Sequence, residues 1–148
     1  MTKKKMIDAL RGIDPETEIT TAVLIQLESK GLIRSSHRGN RTYYNLELLI
    51  VDLNKLFAIN ENTLPRVRTL YNAYRYTVEK GMGFSRRAIY SFEGDENIPQ
   101  LSIKERTYVP LELFEGESVD ILENYLFATR HIDYTDEDNA ESSYEIIY

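Results

Sequence analysis

The residues with the most chemistry to offer in this chain are its arginines. Arg34, His37, Arg38 and Arg41, with Asn40 among them, crowd into one short stretch, and no Asp or Glu lies between Lys30 and Arg41. A second group centres on Ser85-Arg86-Arg87, with Arg66 and Arg68 upstream and Lys104 and Arg106 downstream. A guanidinium fork donates two parallel hydrogen bonds, a geometry that suits phosphate oxygens or the O6/N7 edge of guanine. Thr17, Thr20 and Thr21 add hydroxyls for phosphate or bases and methyls for thymine. Together these are tools for holding a polyanion and reading it. The competing readings are a solvated basic hairpin, and surface pairing of Arg86 and Arg87 with Glu93 or Glu96.

Other chemistries find little material. The chain has no cysteine and only His37 and His131, so disulfides, thiol catalysis and zinc sites are not expected, nor is any cofactor. Nothing pairs a nucleophile with a base, builds a phosphate-binding glycine loop or sets two carboxylates face to face, so an enzyme is not expected. His37 reads as a phosphate contact on a hairpin. The eleven tyrosines invite base stacking. Tyr71 and Tyr74 fall at core spacing, however, and Tyr43, Tyr44 and Tyr108 fall on strands, so packing accounts for them.

The net charge of −6 over 148 residues argues against DNA until it is divided. Residues 1–60 hold nine Lys/Arg and seven Asp/Glu, and residues 61–110 hold eight and six. Residues 111–148 hold one and eleven. The first two parts are mildly basic and the last strongly acidic. Fields fade over a Debye length of about 8 Å, so local charge decides what can approach. No apolar run is longer than that of Leu48 to Val51, four residues, far below the roughly 20 residues of a membrane span. No apolar stretch follows Lys3-Lys4-Lys5. The expected address is therefore the cytoplasm, with no membrane contact.

The elements that must position these side chains follow from periodicity. Lys3 to Arg11 reads as a helix stopped by Gly12. Asp14-Pro15 reads as a cap and first turn for a helix from Glu16 to Lys30, with Ile19, Val23 and Leu27 on one stripe. Leu32 to Tyr44 reads as a hairpin turning at Arg38-Gly39-Asn40. Leu46 to Phe57 returns to helical spacing. Pro65 to Lys80 reads as the next helix, carrying Arg66 and Arg68, and Arg86 to Phe92 as a short helix capped by Ser85. A second hairpin runs from Gln100 to Val109 through Lys104-Glu105. Ser118 caps a last helix, about Val119 to Thr129. From His131 the chain reads as a solvated acidic tail, with Tyr144 to Tyr148 as a possible terminal strand.

The plan repeats, and so do letters. Arg41 to Leu48 and Arg106 to Leu113 share six of eight residues at an offset of 65. Thr21-Ala22-Val23 aligns with Arg87-Ala88-Ile89 at 66, and Leu56-Phe57-Ala58 with Leu126-Phe127-Ala128 at 70, which asks for five inserted residues near Phe114 to Ser118. The division expected is residues 1–60 as one unit, 61–130 as a second and 131–148 as the acidic tail.

Leu27-Glu28-Ser29-Lys30-Gly31-Leu32-Ile33-Arg34, then Arg38-Gly39-Asn40-Arg41-Thr42-Tyr43-Tyr44, then Leu46 to Leu53, resembles the MerR-type winged helix-turn-helix. Phe84 to Tyr90 looks like the opening of a recognition helix in the same family. The resemblance covers residues 3–58 and, more loosely, 64–128. It implies an α+β fold, mainly helical, with two such repeats forming an internal pseudo-dimer with short antiparallel hairpins. Neither the long dimerising coiled coil nor the effector domain of MerR regulators is expected within these 148 residues. Two units in one small chain resemble the small DNA-binding proteins of Gram-positive conjugative transfer operons. That likeness implies sequence-specific binding of double-stranded DNA by a monomer acting as an internal dimer, as an accessory factor or transcriptional repressor on a plasmid. The alternative is a protein-interaction module, a phage or plasmid adaptor using its acidic last quarter.

Overall fold

A computed structural model describes residues 1–130. The acidic tail and its possible terminal strand lie outside the described residues. The elements are α1 (Lys3–Ile13), α2 (Thr21–Ser29), β1 (Ser36–Arg38), β2 (Arg41–Tyr43) and α3 (Leu46–Leu56), then β3 (Val67–Thr69), α4 (Leu70–Glu79), α5 (Arg86–Tyr90), β4 (Leu101–Ile103) and β5 (Arg106–Pro110). A 3-10 turn at Leu111–Phe114 leads into α6 (Gly116–Arg130). The class is α+β, with six helices and two small antiparallel sheets among the described residues.

Every helix from α1 to α5 starts at a residue whose side-chain oxygen accepts from a backbone N–H of the first turn. These caps are Thr2, Thr20, Asn45, Thr69 and Ser85. Such a bond satisfies one of four orphan donors, worth about 1 kcal/mol. Thr20 corrects the expected helix Glu16–Lys30, which is shorter and begins at Thr21. Three side chains hold the preceding segment out of helix. Asp14 closes α1 and turns its carboxylate to Arg68, Glu18 reaches to Thr69, and Thr17 Oγ1 accepts from Ile19 N. Gly12 does not stop α1, which runs on to Ile13.

The expected helix Pro65–Lys80 is corrected as well. Pro65 and Arg66 lie outside any element and Val67 to Thr69 form a strand, because β3 pairs antiparallel with β5, with Val67 opposite Pro110 and Thr69 opposite Tyr108. The helix starts only after Thr69, and it buries Ala73 and Thr77 while Tyr71 and Val78 stay exposed. Tyr71 is therefore no core residue. The last helix begins at Gly116, two residues before the expected cap Ser118, whose N–H bonds Glu115 O. Helix α5 ends at Tyr90, and Phe92 follows in a turn that buries its ring.

Two hydrophobic clusters form. The first gathers Met6, Leu10, Leu24, Leu27, Leu53 and Phe57, and the second Phe84, Ile89, Phe92, Phe114 and Leu126. The three-stranded sheet, ordered β3-β5-β4, lies between them. Successive strand residues point to opposite faces. Tyr108 accordingly enters the first cluster and Val109 the second, while Val67 and Ile103 also join the first. The second hairpin is thus a shared wall. Phe114 sits against Phe84 edge-on, with centroids 5.6 Å apart.

The order helix, helix, hairpin, helix occurs twice, and burial gives its register. Val23, Leu24 and Leu27 are buried on α2, and Ala88, Ile89 and Phe92 are buried 65 positions later. The caps Thr20 and Ser85 share that offset. The letter match at 66 is therefore off by one. Phe57 is 1% exposed but Phe127 is 65% exposed, so the match at 70 fails too. Leu53 and Phe57 instead correspond to the buried Leu122 and Leu126, an offset of 69. Four residues are inserted, at the break between the 3-10 turn and α6.

Candidate nucleic-acid interface

The first hairpin carries four of the sequence-derived residues, His37, Arg38, Asn40 and Arg41, and it is tied down underneath. Arg38 pairs with Arg41 across a two-residue turn in which Gly39 takes φ +62°, a left-handed value that glycine adopts at no steric cost. His37, Arg38, Asn40 and Arg41 are all exposed. The Arg38 guanidinium lies over the Tyr43 ring, its central carbon 5.7 Å from the centroid, a cation–π contact. His37 sits between Glu28, 3.3 Å from Nε2, and Thr42 Oγ1, 3.2 Å from Nδ1.

Arg34 is committed elsewhere. Its backbone N–H donates to Asp52 Oδ2 at 2.8 Å, and its guanidinium grips Asp52 Oδ1 at 2.9 Å. It fixes the hairpin to α3, with its side chain still 56% exposed. Between hairpin and α3 opens a cleft of about 450 Å³, lined by Arg34, Arg38, Ser35, Ser36 and Asn45 with no carboxylate in its walls. Beneath it Tyr44 is buried. Burial, then the nearby charge of Glu28, holds its hydroxyl pKa above the ordinary value.

The residues expected at the reading helices divide. Thr21 is exposed on α2, joined by Ala22 and Ile25. Thr20 is exposed but spends its hydroxyl on the cap, and Thr17 lies before the helix with its hydroxyl engaged. Ser85 is fully buried as the cap of α5 and cannot touch a ligand. Arg86 and Arg87 are exposed, and Arg86 lies 5.5 Å from the centroid of Tyr74.

Two arginines prove structural. Arg68, 6% exposed, donates to Asp14 through both terminal nitrogens at 2.7 and 2.8 Å. Neither it nor Arg66 is on a helix, and Arg68 is withdrawn from any external anion. Arg66 pairs with Glu112 and Glu115. Burial opposes its charge, but the hydrogen bond and charge of Glu112, with Tyr76, prevail and raise its pKa. The helix assignment hid both roles, since only strand pairing brings residues 66 and 112 together.

Lys104 and Arg106 are exposed at the second hairpin. Glu18 is turned inward. Its Oε1 accepts from Thr69 N at 2.9 Å and from Asn72 Nδ2 at 3.0 Å, at the start of α4. A carboxylate that would repel phosphate from α2 is thereby occupied with the dipole of another helix. The face residues missed in the sequence are Ala22, Ile25 and Tyr90, and the offset of 65 read from caps and burial is the signal that finds them. Among the described residues there is no group of His, Asp and Glu able to hold a metal, and no helix is long and apolar enough to cross a membrane. The chain matches no protein-family model, no curated protein and no solved structure.

Proposed function

We propose that this chain binds double-stranded DNA sequence-specifically, through two winged helix-turn-helix units of MerR type that arose by duplication and act as an internal dimer. The observation that carries the reading is the register between the units. Caps and buried residues agree at an offset of 65 through both second helices, and each leaves an exposed face of the same positions. A helix fits a major groove about 12 Å wide, and exposed arginines beside it hold the flanking phosphates. Arg38, Asn40 and Arg41 serve the first unit, and Arg86, Arg87, Lys104 and Arg106 the second. The role is that of an accessory factor or repressor at a plasmid transfer operon.

Fluorescence anisotropy on duplexes selected from a random library tests this. Binding at about 50 mM salt should weaken steeply by about 200 mM, because released counterions set the slope. Absence of binding at the lower salt refutes the proposal. A second reading, a protein-interaction module, is favoured by one observation. Ile98, Pro99, Leu113, Ile121 and Leu122 line an apolar groove along α6, where Ile121 is 68% exposed. Under that reading Arg86→Ala with Arg87→Ala leaves DNA affinity unchanged.

A further inference from the structure

The two units differ most where they correspond most closely. At the offset of 65, Thr21 of α2 stands where Arg86 stands on α5, Ala22 where Arg87 stands, and Ile25 where Tyr90 stands. All six are exposed, Ile25 to 39% and Tyr90 to 41%. Their neighbours on the inner side are buried in both units, so the pairs occupy the same outward face. One face is lined by methyl groups and a single hydroxyl. The other carries two guanidiniums and a phenol.

We propose that these faces read chemically different half-sites: α2 a thymine-rich step through methyl contacts, and α5 a guanine-containing step through Arg86 and Arg87. The inference rests on the DNA-binding reading above. The thymine C5 methyl is the one apolar group on the major-groove floor. Ala22 and Ile25 pressed against any other base edge would strip water from donors and acceptors and offer nothing in return. Thymine alone gives them an apolar partner. Thr20 cannot change the balance, because its hydroxyl already caps α2. Arginine on α5 meets the opposite demand, since guanine presents two acceptors, O6 and N7, at the spacing of a guanidinium fork. The DNA site is therefore asymmetric, although the protein is pseudo-symmetric.

The test begins with duplexes selected from a random library by the full chain. The consensus should not be palindromic. Anisotropy then follows base analogues placed in one half at a time. Uracil for thymine, which deletes only the methyl, should weaken binding about fourfold per contacted base in one half. In the other half 7-deazaguanine, which deletes only N7, should weaken it about tenfold. Arg86→Ala with Arg87→Ala should abolish the 7-deazaguanine effect and leave the uracil effect intact. Both side chains are exposed, and matched circular-dichroism melts verify that the variant folds. A palindromic consensus, or analogue effects equal in both halves, overturns this inference and leaves DNA binding standing. A library with no enriched sequence overturns both.

Discussion

Asp14 and Arg68, 54 positions apart, form a buried two-pronged ion pair that joins the end of α1 to strand β3, with side chains 8% and 7% exposed. Arg68→Ala leaves a carboxylate buried without its partner. The expected loss is about 3–5 kcal/mol in urea denaturation. Replacing both, Asp14→Leu with Arg68→Met, should recover most of it, because the desolvation of two charges disappears as well. A double variant as unstable as the single one would show that the pair is not the cause.

Glu18 and Thr69, 51 positions apart, make another bond between the segment before α2 and the start of α4. Glu18→Ala removes the acceptor for Thr69 N, Thr69 Oγ1 and Asn72 Nδ2 together. The expected cost is roughly 1.5–3 kcal/mol, as for hydrogen bonds to a charged group. Glu18→Gln keeps an acceptor oxygen and should cost less. Equal losses in the two variants would contradict the role of Glu18 as acceptor for Thr69 and Asn72.

Exposed and committed arginines should part company in their salt response. Arg38→Ala and Arg41→Ala should each reduce the slope of log affinity against log salt by about one phosphate. Arg66→Ala should leave that slope alone, because Arg66 already faces Glu112 and Glu115. A slope reduced by Arg66→Ala would place Arg66 on the DNA after all.

Tyr44 predicts an alkaline limb. Its folded pKa is raised above 10.0 by burial and by Glu28, so the folded state keeps the proton longer than the unfolded chain. That contribution is complete below pH 10.0 and declines as pH rises through the folded value. Urea melts across this range should fall less steeply for Tyr44→Phe than for the parent. Parallel curves would remove Tyr44 as the source.

The second hairpin turns through two non-glycine residues in left-handed backbone, Lys104 at φ 47° and Glu105 at φ 64°. That matches the two-residue turn for which Asn-Gly is preferred. Lys104→Asn with Glu105→Gly should therefore stabilise the chain by about 1 kcal/mol, read as a higher urea midpoint. A lower midpoint would mean that the lysine and glutamate side chains contribute more than the strain costs.

Local rules were enough for much of this molecule. Alternation and turn residues located both hairpins, helical spacing located α3 and α6, and Ser85 and Gly39 declared a cap and a turn. These signals act over a few residues, where backbone sterics and nearest hydrogen bonds decide. What the tertiary structure decided lies between elements far apart in the chain. Asp14 looked like the cap of the following helix until it closed α1 and met Arg68, and Val67 to Thr69 looked helical until β5 offered a ladder. Arg66 and Arg68 looked like DNA contacts until strand pairing set them beside carboxylates. In each case a partner between 39 and 54 residues away outweighed a local preference of a fraction of a kcal/mol. The offset at which the two helix, helix, hairpin, helix stretches agree in caps and burial was likewise hidden in letters and visible only in which side chains are buried.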